Sequence, residues 1–368
     1  MGFPAADASL MAGAAERFRT GLRKTWPEGA DEPEARLGLA VSGGPDSLAL
    51  LLLAHAALPG RIEAATVDHG LRAESAGEAA EVARVCAERG VPHATLPVAV
   101  AEGNIQAEAR AARYAALADW VDERGLAAVA TAHHADDQAE TLLMRLNRAS
   151  GVAGLAGARA RGRVPDTPIP LLRPVLDWRR HELGDVVRAS GLAAADDPSN
   201  ANDRFDRVRI RKALAGADWL DVPALARSAA HIAEADVALD WMAGLEWRAC
   251  VKSEPMGLKY KPQAPRAVAL RVVARIVREL GGEEPRGSAV ARLVDTLAEG
   301  RPASIGELVA RPNAGGWSFA RAEFRQSARQ GGQAPGLTGG ALVERGVWVS
   351  IRPIWSNGRW KRSSSGSM

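Results

Sequence analysis

Cysteine is scarce in this chain of 368 residues, which has only Cys86 and Cys250. They form no CxxC pair and no cluster with histidine, which argues against a disulfide framework or a zinc site and fits a reducing cytoplasm. No apolar run approaches the roughly 20 residues that a membrane span needs. Residues 1–10 also lack the basic and apolar regions of a secretory leader. We therefore expect a cytoplasmic protein that makes no contact with a membrane.

A large excess of one charge is also missing, since the formal net charge is +3. Any nucleic-acid surface must therefore come from local clusters of arginine. The length allows two or three domains.

Two common nucleotide-binding signatures are absent from the most informative segment, Ser42-Gly43-Gly44-Pro45-Asp46-Ser47. It has neither the lysine of a Walker loop nor the three spaced glycines of a dinucleotide fingerprint. The segment joins an apolar run at 37–41 to a buried helix at 48–53, so its backbone N–H groups can cradle a phosphate. Asp46 beside phosphates makes sense with a metal ion between them. A tight turn of an ordinary α/β sheet is the alternative.

Strands alternate with helices through the first 150 residues, with strands expected at 37–41, 62–67, 93–98 and 126–131. This alternation predicts an α/β fold with a doubly wound parallel sheet, whose ligands bind at the carboxyl ends of the strands. Three polar clusters, at 42–47, 68–72 and 133–137, fall at such ends.

We predict an ATP-binding catalytic domain at 1–215, a helical domain at 216–302 and a small C-terminal region at 303–368. The segment 150–174, rich in glycine, arginine and proline, is expected to be a loop or link. Strand-like runs such as 347–351 follow residue 303, and the tail after 359 is predicted to be disordered.

Carboxylates are the first candidates for chemistry, because Asp46 and Asp137 could share one Mg²⁺ that bridges the phosphates of ATP. His133 or His134 could hold a phosphate or the nucleotide base. The alternative for Asp136 and Asp137 is structural, since acids in the first turn of a helix complement its dipole.

Arginines form the second set of candidates. Arg110, Arg113 and Tyr114 share one helix face and could meet phosphates. Two further clusters could contact RNA or stabilise charge during transfer. They contain Arg159, Arg161 and Arg163 in the first, and Arg204, Arg207, Arg209 and Arg211 in the second. For each set, a solvated basic face is the alternative.

Five segments together resemble the tRNA(Ile)-lysidine synthetase family of PP-loop ATP pyrophosphatases, over about residues 35–215. They are Ser42 to Ser47, Val67 to Arg72, Ala109-Arg110-x-x-Arg113-Tyr114, His134-x-Asp136-Asp137-Gln138-x-Glu140-Thr141 and Asp197 to Asn200. One departure is Val208, where the family usually has asparagine between two arginines.

The resemblance implies an enzyme that uses ATP and Mg²⁺ to adenylate carbon 2 of the wobble cytidine in a tRNA(Ile) with the anticodon CAU. Free L-lysine then displaces AMP and gives lysidine. The implied catalytic residues are Asp46, Asp137 and Arg207, with Asp46 and Asp137 on the metal. ATP would contact the loop 42–47 and Asp68, His69, Arg72, Arg110, Arg113, His133 and His134. The tRNA would contact Arg159, Arg161, Arg163, Arg204, Arg209 and Arg211. The lysine site and the oligomeric state stay open, with a homodimer among the options.

Three other functions compete with this hypothesis. A tRNA 2-thiolation enzyme is the main alternative. Such enzymes generally carry sulfur on cysteines or use an iron–sulfur cluster, and the two cysteines of this chain are far apart and unpaired. An amidating synthetase needs an ammonia source, and no glutaminase-like cysteine motif is present. An RNA-binding module without catalysis has no need of two carboxylates at strand ends.

Overall fold

The computed structural model of the chain describes residues 5–70, 74–99, 105–192, 206–281 and 285–322. It divides into two compact units, residues 1–236 and 237–368. No helix in these described ranges is both long and apolar enough to cross a lipid bilayer.

The first unit is built on a six-stranded sheet in the order β3–β2–β1–β4–β6–β5, parallel except for β5. Its strands are β1 (Leu37–Ala40), β2 (Ile62–Asp68), β3 (His93–Pro97), β4 (Ala128–Ala130), β5 (Arg161–Arg163) and β6 (Pro170–Leu172). The strand order reverses at β1, which pairs with β2 on one side and with β4 on the other. Ligands of doubly wound sheets bind at such a switch point, outside the carboxyl ends of the strands.

Some helices of the first unit pack on the two faces of this sheet, and others contribute no described residue to the two cores there. The helices are α1 (Ala5–Thr25), α2 (Pro45–Ala57), α3 (Glu74–Glu88), α4 (Ile105–Arg124), α5 (Ala135–Asn147), α6 (Val152–Leu155), α7 (Arg180–Ala189), α8 (Asp206–Ala215) and α9 (Val222–Cys250), the last of which continues past residue 236. Side chains of α1, α2, α3 and α7 form one core with β1. Tyr114, Leu117 and Trp120 of α4 pack in a second core on the opposite face. The predicted parallel α/β fold is confirmed.

The second unit contains a five-stranded antiparallel sheet in the order β7–β8–β11–β10–β9. The strands are β7 (Val251–Glu254), β8 (Gly257–Tyr260), β9 (Ala303–Ile305), β10 (Leu308–Asn313) and β11 (Gly316–Arg321). Two amphipathic helices, α10 (Arg266–Gly281) and α11 (Gly287–Ala298), pack on it through a core that includes Tyr260, Val273, Leu293 and Phe319.

The structure differs from the expectation of helices alone between 216 and 302, because β7 and β8 form a hairpin there. The hairpin joins β11, so these residues share one sheet with residues 303–321. Gly257 is required at this point, since a Cβ on it would lie 1.9 Å from the Phe319 carbonyl oxygen. Local sequence does not reveal this strand, because its partner lies some 60 residues further along. Our domain limits at 215 and 302 stay a prediction.

Two further segments have more structure than expected. The predicted loop at 150–174 contains α6 and the strands β5 and β6, and β6 extends the parallel sheet through its pairing with β4. The polar segment at 196–212 gives way to α8 from Asp206. Residues 347–351 and the tail lie outside the described residues.

Candidate active site

A cavity of about 310 Å³ opens at the switch point of the first sheet. Ligand pockets of proteins begin at about this size. Its wall includes ten of the residues selected from the sequence: Ser42, Gly44, Asp46, Ser47, Arg110, Arg113, Tyr114, His133, Asp137 and Arg207. Thus the loop 42–47, the helix α4, the start of α5 and the start of α8 converge on one place.

The loop 42–47 has the form of an anion cradle. Ser47 Oγ accepts a hydrogen bond from the Ser42 N–H at 3.1 Å and donates one to the Gly44 carbonyl at 3.0 Å, which fixes the turn. Gly43 has φ of +88°, a conformation that favours glycine. Gly44 precedes α2, and no side chain caps this helix end. The first N–H groups of α2 are therefore available to a phosphate.

Asp46 and Asp137 both lie near the same nitrogen atom of one buried histidine. His134 Nε2 is 3.3 Å from an oxygen of Asp46 and 3.5 Å from an oxygen of Asp137. His134 Nδ1 accepts the Asp137 N–H at 3.4 Å and so closes the first turn of α5. His134 Nε2 is buried and makes no hydrogen bond within the described residues. His134 is fully buried and is not among the residues that line the cavity, so its contact with ATP stays a prediction.

The two carboxylates differ in how many of their oxygen atoms already accept hydrogen bonds. Asp46 Oδ1 is buried and has no hydrogen-bond partner within the described residues. Asp137 uses both oxygens, because one accepts the Arg207 guanidinium at 2.8 Å and the other accepts the His134 N–H at 3.1 Å. Mg²⁺ is commonly held by one or two carboxylates together with phosphate oxygens and water, so this pair fits it. In the described part of the chain, no three His, Cys, Asp or Glu side chains group as a metal site.

Glu140 organises the arginines next to the cavity. It is only 1 % exposed, and it accepts hydrogen bonds from Arg207 Nε at 2.6 Å and Arg211 Nε at 2.8 Å. Arg180 donates to it more weakly, at 3.4 Å. Although burial acts against it, the carboxylates of Asp137 and Glu140 raise the pKa of Arg207. The sequence analysis assigned Glu140 no role, although its place three residues after Asp137 puts both on one face of α5.

Another part of the cavity lining combines aromatic and basic side chains. The Arg110 guanidinium lies 4.9 Å from the centre of the Tyr114 ring, and Arg113 lies 3.3 Å from His69 Nε2. Burial, followed by the nearby arginine, lowers the pKa of His69. Burial and then Arg173 lower the pKa of His133 to about 4, so its ring is neutral at pH 7. His133 Nδ1 lies 3.0 Å from the Thr131 hydroxyl. This part of the lining can therefore offer ring faces and neutral nitrogen atoms to a nucleotide.

Asp68 and Arg72 are the remaining candidates for contact with ATP. Asp68 accepts the Gly70 N–H at 2.9 Å and so closes the turn after β2. Arg72 is outside the described residues.

Most of the arginines that we predicted to contact tRNA are engaged within the protein. Arg159 pairs with the buried Asp236, Arg161 binds Glu28 at 2.7 Å, and Arg211 binds Glu140. Arg209 pairs with Asp206 at the exposed start of α8. Arg163 is exposed and has no ion pair within the described residues, while Arg204 lies outside them. Short sequence patterns miss such pairs because the partners lie up to 133 residues away.

Comparison with known proteins agrees with this geometry. Residues 15–217 match the PP-loop domain family. The chain is similar to the tRNA(Ile)-lysidine synthase of Novosphingobium aromaticivorans, at 48 % identity over 87 % of this chain and 97 % of that protein. It is also similar to the tRNA(Ile)-lysidine synthases of Ruegeria pomeroyi and Zymomonas mobilis. The first is 46 % identical over 75 % of this chain and 68 % of that protein, and the second 39 % over 80 % and 90 %.

Among solved structures, the U34-tRNA thiolase NcsA from Methanococcus maripaludis is similar at 16 % identity, with a TM-score of 0.49 over 60 % of this chain and 78 % of that chain. A likeness this weak says nothing about substrate. The family match spans more than half of the chain and the synthase relatives span most of it, so the chain belongs to the tRNA(Ile)-lysidine synthase family of PP-loop proteins.

Proposed function

We propose that this protein joins free L-lysine to carbon 2 of the wobble cytidine in a tRNA(Ile) with the anticodon CAU, at the expense of ATP. The observation that carries the proposal is the convergence of the loop 42–47, Asp46 and Arg207 on one cavity. This arrangement suits the transfer of AMP, because the loop can hold the departing pyrophosphate and Arg207 can stabilise charge on the reacting phosphorus. Relatives of similar length carry the name of this activity.

The first step forms an adenylated tRNA. The O2 atom of the cytidine attacks the α-phosphorus of ATP, the bond to the β-phosphate oxygen breaks, and pyrophosphate leaves. The N–H groups at the start of α2 hold the leaving group, and Arg207 is kept in place by Asp137 and Glu140. Mg²⁺, when bound by Asp46 with Asp137 nearby, supplies charge neutralisation for the phosphates.

The second step exchanges AMP for lysine. The ε-amine attacks carbon 2 as the neutral amine, the bond from carbon 2 to the bridging oxygen breaks, and AMP leaves with that oxygen. The amine loses one proton to a carboxylate of the site or to AMP itself. We propose that the protein works in the cytoplasm, where ATP, lysine and tRNA are present, and that its assembly is either a monomer or a homodimer.

The alternative of tRNA 2-thiolation is disfavoured by the position of both thiols. Cys86 is fully buried in the core of the first unit, and burial raises its pKa to about 11. Cys250 is also buried, in the core of the second unit. Neither residue lines the cavity, so neither thiol is placed to carry sulfur to a base.

The proposal is tested by incubating the protein with ATP, labelled lysine and a CAU-anticodon tRNA(Ile) transcript. We expect label in the tRNA, with one AMP and one pyrophosphate formed for each lysine. Omission of ATP, or use of an initiator tRNA that shares the CAU anticodon, serves as control and should give little label. A thiolated cytidine in the product, or no ATP-dependent change to the tRNA, would contradict the proposal.

A further inference from the structure

Trp219 is the most exposed large apolar side chain in the described part of the chain, at 79 %. It lies in the turn between α8 and α9, within the first unit. Exposure of an indole to water is unfavourable by the hydrophobic effect, although a single exposed residue is not unusual. The residues around Trp219 in the chain indicate a role in binding.

The turn that presents Trp219 is held by backbone hydrogen bonds on both sides. The Ala217 N–H donates to Leu214 at 3.2 Å, and the Leu220 N–H donates to Ala217 at 3.1 Å. The Leu225 N–H then donates to Asp221 at 3.0 Å, at the beginning of α9. Because the backbone of such a turn is already ordered, little further backbone entropy is lost when its side chain binds a partner.

The same turn follows directly from the helix that reaches the cavity. Arg207 in the first turn of α8 lines the cavity, and Ala215 ends the helix about 12 Å further along its axis. Between these points α8 exposes Arg209 and Lys212. Along the chain, Trp219 therefore follows a helix whose first turn lines the cavity and whose exposed residues include basic side chains. Interleaved cations and aromatic rings are typical of surfaces that bind single-stranded RNA.

Acidic residues flank Trp219 in the sequence and bear on which part of an RNA could meet it. Asp218 precedes it, and Asp221 follows with a 3.8 Å contact to Arg227. Carboxylates repel phosphates, so a phosphate contact at this position is unfavourable. The face of a base carries no net charge and can stack on the indole.

We propose that Trp219 stacks on an unpaired base of the RNA substrate, in the loop that carries the target cytidine. The proposal rests on the proposed function, which makes an RNA loop the substrate. Chemistry on carbon 2 requires the cytidine to leave the stack of its loop and enter the cavity. Its neighbours in the loop then lose a stacking partner, and the indole replaces it. Trp219 is thus a positioning residue for the RNA.

The test uses the full-length protein and three variants, Trp219→Ala, Trp219→Phe and, as a matched control, Trp241→Ala, which removes an indole that is 64 % exposed on α9. We expect Trp219→Ala to raise the KM for tRNA by roughly 5- to 150-fold, the range for loss of one base–aromatic stack. The KM for ATP and kcat at saturating tRNA should stay near the wild-type values. Trp219→Phe should recover most of the loss, and Trp241→Ala should behave as wild type.

Binding to an RNA hairpin that carries the anticodon loop of the substrate tRNA gives an independent readout. Trp219→Ala should weaken this binding by the same factor at low and high salt, because stacking releases no counterions. An unchanged Kd, an equal loss for the fully paired duplex, or a loss that fades with salt would overturn the stacking proposal. Absence of lysine transfer in the wild type would overturn the proposed function, and the hairpin measurement would still decide the role of Trp219.

Discussion

The Asp137 carboxylate has two tasks that do not involve a metal ion. It closes the first turn of α5 through the His134 N–H, and it holds the guanidinium of Arg207. Asp46 has a buried oxygen without a partner among the described residues. A metal ion can therefore bind the Asp46 oxygen that has no partner, whereas on Asp137 it shares each oxygen with an existing hydrogen bond. We propose that Asp46 is the stronger metal ligand.

Replacement of Asp46 tests this difference. Asp46→Asn should lower tRNA-dependent pyrophosphate release by at least about 100-fold, because the amide removes the charge that a metal bound to phosphates requires. Asp136→Asn is the control, since Asp136 pairs with Arg179 and caps the start of α7 through the Arg180 N–H without lining the cavity. This control should lose stability and keep its release rate. Release at the wild-type rate by folded Asp46→Asn would contradict the assignment.

The lowered pKa of His133 predicts how the stability of the protein depends on pH. Its pKa is about 4 in the folded protein and 6.5 for an unperturbed ring. Between these values the unfolded chain binds a proton at this position and the folded chain does not, so stability falls as the pH drops from 6.5 to 4. His133→Asn removes this contribution. Between pH 7.5 and pH 5, the Tm of the wild type should therefore fall further than that of the variant. Equal decreases would show that His133 is protonated in the folded state.

At the scale of elements, α5 and α8 are joined by ion pairs around a carboxylate that water hardly reaches. Glu140 lies on α5, while Arg207 and Arg211 lie one turn apart on α8. Each arginine remains partly exposed, at 42 % and 29 % of its side chain. Solvent therefore screens the pairs, and their value is below that of a fully buried network. Their main consequence is the direction in which Arg207 points.

Glu140→Gln should lower the free energy of unfolding by about 1–3 kcal/mol, because Arg211 loses the carboxylate that it binds and Arg207 keeps only Asp137. It should also lower kcat through the misplacement of Arg207. The matched control is Glu279→Gln on α10, which breaks an exposed pair with Arg275 and should change stability by less than about 0.5 kcal/mol. Urea unfolding and single-turnover kinetics provide the measurements. Equal stabilities for both variants would contradict the role of Glu140.

Two arginines near the strand β5 have different surroundings. Arg159, just before the strand, pairs with buried Asp236, and Arg163, at its end, is exposed. Arg163→Ala should weaken tRNA binding and reduce the slope of log K against log salt by about 1, as expected for one lost phosphate contact. Arg159→Ala should instead lower Tm, because it removes the arginine that pairs with buried Asp236. Salt titrations and thermal unfolding of both variants separate the two roles. A salt slope unchanged by Arg163→Ala would exclude this residue from the RNA contact.

At the scale of the whole molecule, the two units have separate cores, and each contains one cysteine. Cys86 packs beside Val82 and Val85 in the first unit, and Cys250 packs beside Tyr260 in the second. Both are small core residues in this setting. Neither thiol lines the cavity, so we expect neither to take part in the reaction.

The double variant Cys86→Ala with Cys250→Ala should keep ATP-dependent modification of tRNA within a few fold of the wild type. It should lose stability, since each change removes buried volume. Product analysis by mass spectrometry and thermal unfolding provide the two readouts. Loss of activity in a folded double variant would favour sulfur transfer over lysine ligation.

The sequence by itself determined the reaction class and the place of the site. The segment Ser42–Ser47 is a contiguous strand–turn–helix unit, and its anion-binding form follows from backbone chemistry that six residues contain. The alternation of strands and helices likewise implied the parallel sheet. Parallel strands then bring 42–47 and 133–137 to one edge of that sheet.

Tertiary structure alone decided which polar side chains face the cavity and which support it. His134 and His133 are adjacent in sequence, but the first is fully buried without lining the cavity and the second lines it. Arg161 and Glu140 have partners 133 and up to 71 residues away, and the hairpin at 251–260 is completed by a strand beyond residue 315. Such pairings depend on how the chain returns to itself, which local composition and periodicity do not contain.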